Sequence, residues 1–214
     1  MDQNLYLDIL DHARGTPHWL QQLAELWTEA GLLVFAALFL AGWWRARAAG
    51  ARTMALALLA PLATACGYAV SEALKTVFDE ERPCRAVAGA PAPLVECPPT
   101  GDWSFPSNHA AIAGAAAVAL ALAWRGTLWL TAPLALLMAY SRVFVGVHYP
   151  HDVAAGLLLG GAVAYAAVRA WTRPATALVG TARAGRSAAV LWCAGRGPRQ
   201  RATVRPGGVR DRSR

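Results

Sequence analysis

Five apolar stretches, each long enough to cross a bilayer, dominate this 214-residue chain. A spanning helix needs about 20 mostly apolar residues, because each residue rises about 1.5 Å across about 30 Å of hydrocarbon. The stretches are residues 28–45, 53–77, 108–124, 127–147 and 152–171. Together they leave too little polar sequence to cover five buried helices, which argues against a soluble enzyme. Charged residues make up only 15% of the chain, below the quarter or so usual in a soluble domain. The expected fold class is all-α: a polytopic membrane helix bundle with five transmembrane helices. The many Ala and Gly positions suit close packing of membrane helices. Pro61 in the second stretch is tolerable there, because packed neighbours can satisfy the freed backbone group.

The flanks differ from this core at 28–171. Residues 1–27 lack the basic start and unbroken apolar run of a signal peptide. They read as interfacial amphipathic helices on the outer face, broken at Gly15-Thr16-Pro17, with a second short helix from His18. Residues 172–214 hold ten Arg and one Asp, so this segment carries +9 while the rest of the chain carries −2. An Arg-rich tail can bind nucleic acid, but Trp192 is its sole aromatic. A cytoplasmic, disordered tail at the membrane surface is expected, with no nucleic-acid partner.

Basic residues set the orientation. Arg45, Arg47 and Arg52 fall between the first two stretches, Arg125 between the third and fourth, and ten Arg follow the fifth. These segments alternate and share one side, the cytoplasmic one. The other side receives the N-terminus, the acidic 78–107 loop and residues 148–151. A bacterial-type plasma membrane protein with an extracytoplasmic site is therefore expected.

Three polar clusters lie on that outer side. Lys75 and Arg82-Pro83 end the second stretch. Pro106-Ser107-Asn108-His109 opens the third. Ser141-Arg142 and His148-Tyr149-Pro150-His151-Asp152 join the fourth to the fifth. Ionisable groups at membrane depth are costly, so each is a functional candidate. Lys75, Arg82 and Arg142 are cations with few acidic partners, and Arg presents a planar fork that matches phosphate oxygens. Ser107 and Asn108 start a helix, whose free N–H groups and positive dipole end favour an anion. Asp152, four residues after His148, can hold its imidazole in one tautomer. His109 can protonate a departing oxygen. Singly, each has an ordinary explanation: a snorkelling Lys, an N-cap Ser, a boundary His. Their joint occurrence on one face points to phosphate chemistry.

The three clusters resemble the signature of the type 2 phosphatidic acid phosphatase superfamily. That signature reads Lys-x6-Arg-Pro, Pro-Ser-x-His and Ser-Arg-x5-His-x3-Asp. It is met here by Lys75, Arg82 and Pro83, by Pro106, Ser107 and His109, and by Ser141, Arg142, His148 and Asp152. The resemblance covers about residues 28–171. Asn108 stands where the family most often has Gly; its backbone N–H can still donate, and its amide adds a donor. With Pro-Ser-Asn-His and a short chain, the sequence looks similar to bacitracin-resistance-type undecaprenyl-diphosphatases.

The resemblance implies a lipid phosphatase that needs no cofactor or metal. His148 would attack phosphorus and form a phosphohistidine, with Asp152 orienting it. Lys75, Arg82, Ser107, Asn108 and Arg142 would hold the phosphate oxygens, and His109 would protonate the leaving group. A polyprenyl diphosphate is the expected substrate, ahead of phosphatidate and phosphatidylglycerophosphate. The same residues would also suit a non-catalytic anionic-lipid binder or transporter, or phosphoryl transfer to another acceptor. A metal site built from His109, His148, His151 and Asp152 is the remaining reading. Cys84 and Cys97 share the outer loop, a compartment that permits a disulfide; Cys66 and Cys193 are expected to be free thiols.

Overall fold

The computed structural model describes residues 2–185 and 187–198. Helices are its only regular elements among these residues: α1 (Asp2–Gly15), α2 (His18–Ala46), α3 (Ala51–Phe78), α4 (Pro83–Ala86), α5 (Asn108–Ala123), α6 (Leu128–Phe144), α7 (Pro150–Ala184) and α8 (Ala188–Ala194), with a 3-10 turn at Arg125–Thr127. The all-α class is as expected. Four helices are long and apolar enough to cross a bilayer: α2, α3, α6 with its preceding turn, and α7. The fifth expected span, α5, has 16 residues and is about 24 Å long.

Helix α5 can be short because it is the centre of the bundle. It packs against α2, α3, α6 and α7, and its Ala110, Ala111, Ala113, Ala115 and Ala116 are fully buried. Lipid thickness does not constrain a helix surrounded by protein. Its contact with α7 is close enough that backbone meets backbone at two glycines. A Cβ added at Gly160 would collide with the Ala111 carbonyl oxygen, and one at Gly156 would stand 2.5 Å from that of Ser107. Gly at these two positions, one turn apart, lets the helices touch. That approach brings the start of α5 beside the start of α7, where the second and third polar clusters lie.

Large apolar side chains face outward elsewhere, as a lipid-exposed surface requires. Helix α2 shows Trp19, Leu23, Leu26, Leu33, Leu40 and Trp44, all more than half exposed. The sequence suggested a short helix from His18 and a separate span from residue 28. Instead α2 is continuous from His18 to Ala46, since no Gly or Pro interrupts residues 18–30. Helix α1 docks by Tyr6, Leu10 and Ala13, all fully buried. Tyr6 Oη donates to the Gly146 carbonyl at 3.1 Å, and its ring meets that of Tyr149 edge-on. Burial and the neighbouring Tyr149 push the Tyr6 phenol up to about 12, so it stays a donor there.

The expected boundary at residue 172 is also corrected. Helix α7 runs to Ala184 and α8 follows. Residues 175–184 are rich in Ala, and extending a formed helix needs no new nucleus. Arg183 donates to the carbonyls of Ala194 and Ala49, and Trp43 Nε1 donates to that of Cys193 at 2.8 Å. Disorder expected from residue 172 therefore does not hold through α8; residues 199–214 lie outside the described residues. Cys84 and Cys97 form a disulfide with Cα atoms 6.1 Å apart, and Cys66 and Cys193 are free.

Candidate active site

The three clusters meet at one end of the bundle. Lys75 lies in the last turn of α3, Arg82 just before α4, Ser107 caps α5, and Arg142 lies in the last turn of α6. His148 sits in the turn between α6 and α7, and Asp152 in the first turn of α7. Lys75, Arg82, Ser107, Arg142, His148 and Asp152 are all buried.

His148 is held from both ring nitrogens. Nδ1 lies 3.2 Å from Asp152 Oδ2, and Nε2 lies 3.1 Å from Arg82 Nη1. A guanidinium only donates, so Nε2 accepts and the ring proton resides on Nδ1, facing the carboxylate. Burial first, then the positive charges of Arg142, Arg82 and Lys75 and the neighbouring His109, push the His148 imidazole well below its ordinary value. It is therefore neutral at pH 7, with a lone pair on Nε2. The α7 start fixes the geometry, because Asp152 Oδ2 also accepts the Tyr149 backbone N–H at 2.8 Å.

Arg82 is braced as well. Its Nη1 donates to the Val147 carbonyl at 3.1 Å, and its Nε to the Asp102 carbonyl at 2.7 Å. Asp102 Oδ1 accepts from Lys75 Nζ at 2.8 Å and from Arg82 Nη2 at 2.9 Å. Burial opposes ionisation of Asp102, but these hydrogen bonds outweigh it and hold the carboxyl below its usual value. Arg142 Nη1 donates to Thr28 Oγ1 at 2.8 Å. Arg142 Nε and Ser107 Oγ are buried without a hydrogen-bond partner among the described residues.

His109 is half-buried in the first turn of α5 and lies within electrostatic reach of Arg142, Arg82 and Lys75. Asn108 Oδ1 accepts from Ser71 Oγ at 2.7 Å, and its Nδ2 donates to Glu72. The amide thus ties α5 to α3 through its oxygen and one of its two N–H groups. The backbone N–H groups of Asn108 and His109, in the first turn, remain without intrahelical acceptors. His151 is exposed and contacts Glu80 and Asp152, each at 3.1 Å. These three offer ligand atoms within 4.8 Å of one another; His109 and His148, the two further candidates for a metal site, are not in that group.

Three contributors escaped the sequence reading. Ser104, fully buried, donates to Asp152 Oδ2 and lies 3.3 Å from His148 Nδ1. Its signal was a hydroxyl three residues before Ser107. Thr28 is fully buried in α2, where a hydroxyl in an apolar helix was the sign. Asp102 was visible only as one acid among several in the loop.

The chain is similar to several known proteins. An undecaprenyl-diphosphatase of Sulfolobus acidocaldarius is 37% identical over 119 residues, 55% of this chain and 56% of that protein. An undecaprenyl-diphosphatase BcrC of Bacillus subtilis is 31% identical over 134 residues, 62% and 65% of the two chains. The chain thus spans about half to two thirds of the length of these relatives. The crystal structure of Aquifex aeolicus LpxE shares the fold, with a TM-score of 0.62 at 22% identity, over 78% of this chain and 94% of that one. The apolar helices and this shared fold support a multi-pass membrane protein. Residues 54–175, which carry all three clusters, match the PAP2 superfamily, and the chain belongs to that family.

Proposed function

We propose that the chain is an integral-membrane lipid phosphatase that works through a phosphohistidine on His148. The carrying observation is the tautomer: Nδ1–H faces Asp152 and the Nε2 lone pair faces Arg82. Nε2 attacks phosphorus in line, and Asp152 stabilises the cation that forms. Lys75, Arg82, Arg142, Ser107 Oγ and the first N–H groups of α5 hold the equatorial oxygens. The unpartnered Ser107 Oγ and Arg142 Nε are donors such oxygens would satisfy. His109 protonates the leaving oxygen. Water then attacks the phosphohistidine and passes a proton to His109, which restores its acid form, releases phosphate and leaves His148 neutral. Fixed cations neutralise the phosphate, so the step needs no metal.

The substrate is a polyprenyl diphosphate, cleaved to the monophosphate. The names of the Sulfolobus and Bacillus relatives support this choice. The site faces the outside of a bacterial-type plasma membrane and the C-terminal segment faces the cytoplasm. Support comes from Arg45, Arg47, Arg52 and Arg125, in the helix ends and connections opposite the site, and from Arg173 within the last third of α7. Residues 1–27 serve the outer boundary and 28–171 form the catalytic core.

The test is phosphate release by purified full-length protein in detergent, from undecaprenyl diphosphate, phosphatidate and phosphatidylglycerophosphate. Release fastest from the diphosphate, and unaffected by chelator, is expected. Binding of these lipids without release from any would instead indicate a binder or transporter.

A further inference from the structure

Asp102 bridges the two cations of the first cluster. Its Oδ1 accepts from Lys75 Nζ at 2.8 Å and from Arg82 Nη2 at 2.9 Å. The exposures differ sharply: the Lys75 and Arg82 side chains are 5% and 3% exposed, that of Asp102 41%. The cations therefore lie beneath and the carboxylate covers them from the solvent side. A phosphate oxygen bound between Lys75 and Arg82 takes the position that Asp102 Oδ1 now holds between Nζ and Nη2, although each cation has further N–H groups. Two anions on one pair of donors repel each other, so carboxylate and phosphate exclude one another there.

We propose that Asp102 is a displaceable internal counter-ion that makes the site select its ligand by charge. The proposal rests on the proposed function in one respect: Lys75 and Arg82 receive the substrate phosphate. A membrane surface is crowded with phosphodiester headgroups, each carrying one negative charge. Three bare buried cations would attract them. Asp102 already supplies one charge, and its attachment to the chain gives it a high effective concentration. A singly charged diester gains nothing by replacing it. A terminal phosphate or diphosphate, with a charge near −2 at neutral pH, does.

The local backbone suits such an exchange. Asp102 lies in an irregular segment after Gly101, whose φ is +88°. Ser104, two residues on, is pinned by its N–H to the Glu80 carbonyl at 2.7 Å and by its hydroxyl to Asp152. The Asp102 side chain can leave the cations without moving Ser104 or the His148–Asp152 pair.

The test is calorimetric titration of purified full-length wild type and Asp102→Asn with inorganic phosphate. Removing the competing charge should tighten phosphate binding roughly tenfold, as expected for loss of charge-assisted hydrogen bonds that had to be broken. In mixed micelles, phosphatidylglycerol should compete with phosphate in the variant and barely in the wild type. In turnover, KM should fall. A carboxylate that merely braces Lys75 and Arg82 gives the opposite: weaker phosphate binding and a raised KM. Unchanged or weaker binding by Asp102→Asn overturns the proposal, as does equal competition by phosphatidylglycerol in both proteins. Asp102→Ala, judged by the same outcomes, replaces the Asn variant if thermal unfolding shows that variant misfolded. The wild type alone must also bind phosphate better than a monoanionic phosphodiester. Wild type that binds phosphate but hydrolyses no lipid phosphate overturns the proposed function and leaves the binding result on Asp102 standing.

Discussion

His148 Nδ1 and Asp152 Oδ2 stand 3.2 Å apart, one helical turn apart in sequence, at the junction where α7 begins. The same carboxylate oxygen accepts the Tyr149 N–H and the Ser104 hydroxyl. It is thus fixed in position before substrate arrives, and it dictates which imidazole nitrogen carries the proton. Asp152→Asn would place an amide N–H against Nδ1 and favour the wrong tautomer. Turnover should fall roughly 10,000-fold, by analogy with triad carboxylates. A phosphate-release assay with KM little changed would confirm the orienting role.

Thr28 makes a different test, because it reaches the site through Arg142 and, more weakly, Ser141. Thr28→Val keeps the shape in α2 and removes the acceptor of Arg142 Nη1. Loss of one hydrogen bond to a charged group should weaken catalytic efficiency roughly tenfold. Mixed-micelle kinetics check this, and Thr28→Ser, which restores the oxygen, should recover most of the rate.

Packing of α5 on α7 has a sharp control within α7. Gly160→Ala drives a Cβ into the Ala111 carbonyl, while a Cβ at Gly180 meets nothing within 4 Å. The first variant should lose about 1–3 kcal/mol or fail to fold, as overpacking commonly does. Gly180→Ala should match the wild type or exceed it slightly. Thermal unfolding in detergent distinguishes them.

His148 also predicts a pH dependence of stability. Its folded value lies well below the ordinary one, so below about pH 6.5 the unfolded chain takes up a proton that the folded site refuses. The contribution is complete above that pH and declines as pH falls toward the folded value. Wild-type Tm should therefore drop on acidification from pH 7 to 5, and His148→Gln should drop less steeply.

Much of this was legible in the sequence, for reasons that differ by residue. Lys75, Arg82, Ser107, Arg142, His148 and Asp152 announced themselves because charge is scarce in apolar segments and their spacings are fixed. The helices followed from hydropathy, to within a few residues at most ends. The expected fifth span stops at residue 171, just before Arg173 and Pro174, yet the helix continues through them to Ala184 because a formed helix extends without a new nucleus. Thr28 and Ser104 stayed hidden because a hydroxyl is common, and only the fold shows which one meets Arg142 or Asp152. The ties of the Asn108 amide to Ser71 and Glu72 on α3 were likewise invisible in the sequence.

The central claim is that phosphorus is transferred to His148 before it reaches water. Purified protein mixed with undecaprenyl diphosphate, quenched in alkali within the first turnover and digested for mass spectrometry, tests it directly. One phosphoryl group on the imidazole of His148, absent from His148→Ala, is the predicted result. A single turnover that leaves His148 unmodified, or that phosphorylates another side chain, contradicts the account.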